Sequence, residues 1–386
     1  MVQRVGLVSG GTGGHLMPAL VLARAMRACG HEPVLFTEGR EVEREILRRE
    51  LPDVTEVNLP SVHRRMGLPW WLASATVTSR RLLREQAVDC VVSTGGRASL
   101  PVGVAARSLG LPLFLLEQNA VTGRVNRFLL PFARRIYHGL PLAASGGSRA
   151  MFTGTPLRPE FLRIDRQRAR EELELSQGVP VVLVMGGSQG ARVLNEIVPP
   201  ALLRLSRDLQ VLHLAGLDRD EPVRRLYAAG DGRVVAQVRP VALDIDRMFG
   251  AADLVVCRGG GTTVAELTAA GRASVVVPYP HHRDRQQLHN AEVLARVGAA
   301  IIVEERVLTV DCLARLLTGL LADRSRLEVM GRAARRLRAV DPAGAILRDM
   351  GLSSAHRRGA THEPAEPTIQ PPDRGDEAWP CSPHRQ

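Results

Sequence analysis

The sequence predicts an α/β protein of two Rossmann-like, doubly wound parallel-sheet domains facing each other across a cleft. Three observations predict it. Glycine-rich turns occur at residues 9–15, 185–191 and 257–266, each after a β-branched apolar run and each opening a stretch of helical periodicity. Backbone N–H groups at such a strand–turn–helix junction are placed to meet a phosphate at a helix N-terminus. Strand-like and helix-like segments alternate through both halves, and the strand-like runs are continuously apolar, as strands covered on both faces must be. The chain has 386 residues, long enough for two such cores.

Residues 4–9 read as a short strand and 16–29 as a helix with Leu16, Leu20, Ala23 and Met26 on one face. Pro18 falls in the first turn of that helix, where a missing N–H costs little. Strands follow at 33–37, 89–93 and 113–116; the second runs into Thr94-Gly95-Gly96-Arg97-Ala98-Ser99 and the third into Glu117-Gln118-Asn119. The second half repeats the pattern, with strands at 181–185, 211–215, 233–238, 254–257, 274–277 and 300–303 and helices such as 194–205 and 264–270. Residues 1–162 therefore read as one domain and 163–341 as another, divided after Gly154-Thr155-Pro156-Leu157-Arg158. A last helix at about 342–351 returns to the first domain. Residues 353–386 hold six prolines, few aliphatic and many charged side chains, and read as a disordered tail.

Composition narrows the function. Aromatic residues are only 3% of the chain, so aliphatic side chains must fill the cores. All 51 basic residues are arginine, a chain-wide substitution that GC-rich coding explains better than function does. The net charge of +11 points to nucleic acid or an anionic membrane surface. Dispersed aromatics give no base-stacking platform and no zinc-knuckle or basic-zipper pattern is present, so the membrane surface is preferred and nucleic acid set aside. Five widely spaced cysteines without a CxxC pair read as thiols of a reducing compartment. The chain starts directly into a strand with no signal-peptide layout, and no apolar run approaches a bilayer span.

In the first turn, Gly10, Gly11, Gly13 and Gly14 permit close backbone approach, and four glycines in five positions exceed what a turn requires. His15 stands at the helix start, where the positive end of the dipole favours a neutral, base-competent imidazole. In the second turn Ser188 offers a hydroxyl beside backbone donors, with Asn195 one helical turn on; an ordinary βα loop capped by Ser188 is an equal reading. In the third, Thr262 and Thr263 open a helix and Glu266 follows, suited to a ribose diol. Glu266 also fits a capping box with either threonine. The polar loop Tyr279-Pro280-His281-His282-Arg283-Asp284-Arg285-Gln286-Gln287 follows a buried strand, where ligand crevices form in open α/β sheets. Its histidines lack a tetrahedral or carboxylate-rich set, so no metal site is expected. Leu68, Trp70, Trp71 and Leu72, flanked by Arg64, Arg65, Arg80, Arg81 and Arg84, fit interfacial membrane contact; a helix packed on the first domain with a solvated basic side is the competing reading.

Together the turn at 10–15, the run 94–101, Glu117-Gln118-Asn119, 154–158, 186–191, 257–266 and 284–290 resemble the MurG family. These are bacterial UDP-N-acetylglucosamine:lipid-linked muramyl-pentapeptide N-acetylglucosaminyltransferases of peptidoglycan synthesis. The resemblance covers residues 2–351. It implies a GT-B fold, a lipid acceptor on the first domain and a sugar nucleotide mostly on the second. It implies inverting transfer of GlcNAc from UDP-GlcNAc to the C4 hydroxyl of lipid I, giving lipid II, with His15 as base and Glu117 assisting or orienting. Thr12, Gly13 and Gly14 would border the donor sugar and diphosphate, Asn119 the sugar, and Arg158 and Ser188 the diphosphate. The uracil would rest near Ala242. Gly261, Thr262, Thr263, Val264, Ala265 and Glu266 would hold phosphate and ribose, and Gln287 the sugar. The third turn departs from the pattern, reading Arg-Gly-Gly-Gly-Thr-Thr where relatives usually show Arg-Ser-Gly-Ala-Leu-Thr.

The family further implies a peripheral protein on the cytoplasmic face of the inner membrane, acting in cell-wall biogenesis, cell shape and division. Cell-wall synthesis enzymes are left open as partners. No tightly bound cofactor is expected, with a stimulatory divalent cation left open. The competing functions are a GT-B transferase acting on another glycolipid or a natural product, a UDP-sugar 2-epimerase, a nucleic-acid-binding protein and a nucleotide-binding regulator without catalysis.

Overall fold

The computed structural model describes residues 1–10, 13–59, 67–141, 147–187 and 189–353. The disordered-tail expectation for 353–386 lies, from 354 on, outside the described residues, as do Arg64 and Arg65. The chain divides into two compact units, one of Met1–Arg158 with a segment that begins at Ala339, the other Pro159–Arg338.

The first unit runs β1 (Arg4–Val8), α1 (Gly13–Ala28), β2 (Glu32–Thr37), α2 (Glu41–Glu50), β3 (Thr55–Asn58), α3 (Leu68–Glu85), β4 (Cys90–Ser93), α4 (Ser99–Ser108), β5 (Leu113–Glu117), α5 (Arg124–Leu129), β6 (Arg135–His138) and β7 (Ala150–Phe152). All seven strands are parallel, in the order β3-β2-β1-β4-β5-β6-β7. Alternation along the strands splits the core in two. Leu7, Leu35, Val92, Phe114, Leu116 and Tyr137 face α1 and α2, while Val8, Val34, Phe36, Val91, Leu115 and Ile136 face α3, α4 and α5. Period-two alternation with both sides apolar is the reason these strands read as continuous hydrophobic runs.

The second unit runs α6 (Arg166–Glu172), β8 (Val181–Met185), α7 (Arg192–Leu203), β9 (Leu209–Leu214), α8 (Asp220–Ala228), β10 (Val234–Arg239), α9 (Ile245–Ala251), β11 (Leu254–Cys257), α10 (Gly261–Ala270), β12 (Ala273–Val276), α11 (Gln286–Ala295), β13 (Ala300–Ile302), α12 (Val310–Ala322) and α13 (Arg324–Arg336). Its six parallel strands take the order β10-β9-β8-β11-β12-β13. Arg170 is fully buried there without being orphaned. Its guanidinium donates to Asp253 and to the carbonyls of Ala251, Ser176, Gln177 and Val179, so the charge is paired and every direction filled.

The last helix, α14 (Pro342–Asp349), belongs to the first unit and packs on α1 through Ile346 and Leu347. Asp341 caps it by accepting from the Gly344 N–H. The Tyr137 hydroxyl donates to Asp349 at 2.8 Å, and Arg135 pairs with the same carboxylate.

Candidate active site

In each sheet the strand order reverses once, between β1 and β4 in the first unit and between β8 and β11 in the second. Connections leaving such a switch point diverge to opposite faces and open a crevice at the strand C-termini. Every glycine-rich turn singled out from the sequence leaves a switch-point strand: 9–15 leaves β1, 185–191 leaves β8 and 257–266 leaves β11. The Thr94-Gly95-Gly96 turn leaves β4.

In the first unit the two turns interlock. A Cβ on Gly96 would lie 2.2 Å from the Gly10 carbonyl oxygen, and Gly96 has φ +87°. Only glycine fits there, on both counts. The contact brings Thr94 beside His15, the third residue of α1. His15 Nδ1 lies 2.7 Å from the Thr94 carbonyl oxygen, which also accepts from Gln118 Nε2 at 2.9 Å. The Thr94 hydroxyl donates to the carbonyls of Val8 and His15. A carbonyl only accepts, so Nδ1 carries a proton, and of the two neutral tautomers this selects the one whose bare lone pair is on Nε2. Gly95, with φ +99°, lies against the ring; a Cβ there would be 3.0 Å from Cε1.

Glu117 ends β5 and is 2% exposed. Its Oε1 accepts from the Asn119 N–H and Asn119 Nδ2, both at 3.0 Å. Its Oε2 accepts from the Gly123 N–H at 2.8 Å and Asn126 Nδ2 at 2.9 Å. Four donors saturate the carboxylate, so the reading of Glu117 as an assisting catalytic group narrows to the orienting one: it fixes the loop that carries Asn119. Arg158 lies 3.8 Å from Glu50, which also binds Arg24. Thr12 lies outside the described residues; Gly13 and Gly14 open α1.

In the second unit Ser188 lies outside the described residues. The turn around it is tight, with the Gly190 N–H donating to the Gly187 carbonyl at 2.9 Å. Ala242 is half-buried in the loop between β10 and α9, between exposed Val241 and Leu243. Gly261, Thr262, Thr263, Val264, Ala265 and Glu266 all lie in the first two turns of α10. The capping-box reading of Glu266 fails: Thr263 would have to be the N-cap, three residues before Glu266, but the N-cap is Gly260, which makes Thr263 itself the third helical position and puts Glu266 three residues beyond it. A Cβ on Gly259 would lie 2.2 Å from the Gln287 carbonyl, and Asn290 Nδ2 donates to the Gly259 carbonyl, so the third turn seats against the start of α11. Gln287 itself accepts from the Tyr279 N–H.

The membrane segment is corrected. Trp71 is 6% exposed and faces the core with Ala75, Ser79 and Leu83, one stripe of α3 at helical spacing. Trp70, 76% exposed, is on the opposite side with Val77 and Arg81. Arg80 donates to the Ser108 carbonyl and hydroxyl at the end of α4 and does not reach outward freely. Leu72 is half-buried, and the Leu68 side chain lies outside what is described.

Thr94, Gly95, Gln118 and Asn126 are the residues whose site roles the sequence reading missed. Only the glycine pair after a buried strand signalled the first two; the other two act through partners nine or more residues away.

Residues 5–138 match the glycosyltransferase family 28 N-terminal domain and 181–343 its C-terminal domain. The UDP-N-acetylglucosamine--N-acetylmuramyl-(pentapeptide) pyrophosphoryl-undecaprenol N-acetylglucosamine transferase of Pseudomonas entomophila (strain L48) is 38% identical over 92% of this chain and 98% of its own. Its counterpart in Halorhodospira halophila is 41% identical over 86% of this chain and 94% of its own. The crystal structure of Acinetobacter baumannii MurG aligns with a TM-score of 0.74 at 29% identity, covering 90% of this chain and 99% of that one. UDP-GlcNAc 2-epimerase from Neisseria meningitidis aligns at 0.66 but at 12% identity over 90% of this chain and 99% of that one, a likeness of fold alone. Two Rossmann-like units of the GT-B fold, family 28 domains in both and near-full-length identity to named transferases together place this chain in the MurG family of glycosyltransferase family 28.

Proposed function

We propose that the protein transfers N-acetylglucosamine from UDP-N-acetylglucosamine to the C4 hydroxyl of lipid-linked N-acetylmuramoyl-pentapeptide, converting lipid I to lipid II in peptidoglycan synthesis. The acceptor oxygen attacks the anomeric carbon, the bond to the UDP oxygen breaks, and the configuration inverts in that single displacement. The hydroxyl proton passes to His15 Nε2. The observation that carries this role is the bond from His15 Nδ1 to the Thr94 carbonyl, which commits one ring nitrogen as donor and leaves the other as acceptor. Positioned general-base help of this kind contributes roughly 10²–10⁴-fold.

The departing diphosphate gains negative charge. Backbone donors at Gly13, Gly14 and the turn carrying Ser188, with the Arg158 guanidinium, are the groups assigned to it. Preorganised donors of this sort contribute about 3–4 kcal/mol each. Asn119, held by Glu117, and Gln287 read the sugar; Glu266 takes the ribose diol, and the loop at Ala242 the uracil.

No helix among the described residues is long and apolar enough to cross a membrane. We infer peripheral contact with the cytoplasmic face through Trp70, Val77 and Arg81 on the outer side of α3. An indole at headgroup depth with a guanidinium beside it is the expected pattern. The deciding experiment supplies labelled UDP-N-acetylglucosamine and a synthetic lipid I analogue. Label in the lipid product is expected; a folded, UDP-binding sample that leaves the lipid unlabelled sinks the reading, and release of a 2-epimer without acceptor would replace it.

A further inference from the structure

Beneath the second glycine turn lies a buried polar chain that the proposed mechanism does not use. His213, fully buried on β9, faces α7 and α8. Its Nε2 is 3.1 Å from Asn195 Oδ1 and its Nδ1 is 3.0 Å from the Tyr227 hydroxyl. Asn195 Nδ2 donates to the Ala215 carbonyl at 2.9 Å. The amide nitrogen is thereby spoken for, so Asn195 offers His213 an oxygen, and His213 Nε2 must carry the proton. His213 Nδ1 is then bare and accepts from Tyr227. Every proton in the chain has one arrangement.

The chain ends where the turn is made. A Cβ on Gly190 would sit 2.0 Å from the Ala215 carbonyl oxygen, and one on Gly216 would sit 2.6 Å from Gly190 Cα and N. The position of that carbonyl therefore sets the path of Gly190, and Gly190 closes the tight turn back to Gly187. Ala215 and Gly216 are held from the other side by β10, whose end supplies the carbonyls of Arg239 and Pro240 to their N–H groups.

We propose that His213, through Asn195 and the Ala215 carbonyl, is a positioning residue for the diphosphate-binding turn at residues 186–191, with Tyr227 donating to the ring nitrogen that Asn195 leaves bare. The proposal rests on the reading that this turn holds the donor diphosphate. A side chain that supplies one donor and one acceptor preserves the chain; an apolar one of similar size leaves Asn195 Oδ1 and the Tyr227 hydroxyl buried and unpaired, and the turn loses its reference point.

The test measures binding of UDP and of uridine to the full-length protein by calorimetry. The parent is expected to prefer UDP. His213→Leu should weaken UDP about tenfold, the loss of roughly one well-placed donor, while uridine binding stays within about twofold. His213→Gln should restore most of the UDP affinity, and Tyr227→Phe should show a smaller loss of the same selective kind. Equal losses for UDP and uridine in His213→Leu or Tyr227→Phe would overturn the proposal, since they report general damage to the unit. Unchanged UDP affinity in both variants would also overturn it. A parent that binds UDP no better than uridine would instead remove the diphosphate assignment of the turn, and the proposal with it.

Discussion

Acid should destabilise this protein through one buried imidazole, by an amount that can be stated in advance. Burial pushes the pKa of His213 down from 6.5 to about 3. A histidine with a depressed folded-state pKa is protonated first in the unfolded chain. Its contribution is therefore complete above pH 6.5 and is lost as pH falls from there toward 3. Each pH unit inside that window costs about 1.4 kcal/mol. Between pH 7.5 and 5.0 the integrated loss is about 2 kcal/mol. The perturbation is His213→Gln, which keeps one donor and one acceptor but does not titrate. Urea unfolding of parent and variant would be followed at both pH values with a probe in the second unit. Other groups titrate alike in the two proteins, so the quantity read is the difference of differences. The parent should lose about 2 kcal/mol more than the variant. Equal losses would show that the ring is charged, or wet, in the native state, and the single-tautomer chain through Asn195 and Tyr227 would be wrong.

Other expectations follow from the first unit. His15→Ala should lower kcat by roughly 10²–10⁴-fold with UDP affinity near that of the parent, since the ring acts on the acceptor; unchanged turnover in a steady-state assay removes the base. Glu117→Ala strands four donors, two of them on side chains, and should lower stability by about 2–4 kcal/mol. Its residual activity should keep the parent's pH–rate profile, whereas a displaced limb would mean that Glu117 moves a proton. Trp71→Ala should cost about 3–5 kcal/mol of stability with little change in vesicle binding per folded molecule. Trp70→Ser should leave stability within about 0.5 kcal/mol and weaken sedimentation with anionic vesicles; the reverse pattern would refute the assignment of the two faces of α3.

The central strands were legible because they are buried on both sides. β8 and β11 have the bounds expected from their valine and leucine runs, and β5 extends the expected strand by one residue, Glu117. The edge strands β10 and β13 of the second unit were read to within a residue at each end, but β3, β6 and β7 of the first unit were not read at all. In β3 only Val57 of four residues is buried, β7 is three half-buried residues at the sheet edge, and β6 begins at a charged arginine. A strand that covers less apolar surface writes a weaker pattern into the sequence. The face of α3 was available and overlooked: Trp71, Ala75, Ser79 and Leu83 share a helical stripe, and adjacent tryptophans cannot both lie on it. The tautomer of His15 could not be read. It depends on a backbone carbonyl 79 residues away, which no side-chain identity encodes.

The abundance of glycine in these turns has a physical cause beyond phosphate approach. In the first unit Gly96 is required because the turns after β1 and β4 cross with the Gly10 carbonyl in the place of its Cβ, while Gly10 packs against Ala98, 3.0 Å from where its own Cβ would lie. In the second, Gly190 crosses Ala215, and Gly259 crosses Gln287, in the same way. In the first unit the crossing spans the switch-point pair β1 and β4; in the second the crossings join neighbours on one side of it, β8 with β9 and β11 with the start of α11, and in each case the backbones pass at contact distance. Part of each glycine motif therefore builds the crossing, and the rest is free to meet a ligand. Gly187 shows the division: it has φ +86° and, its chain neighbours aside, nothing within 4 Å of its Cβ position among the described residues, so its backbone angle and not packing is what favours glycine there. Gly187→Ala should thus test the turn's conformation alone. A cost of about 1–2 kcal/mol from the left-handed backbone is expected, read as weaker UDP binding, lower stability or both. Gly190→Ala, which must displace a carbonyl as well, should disrupt the unit far more.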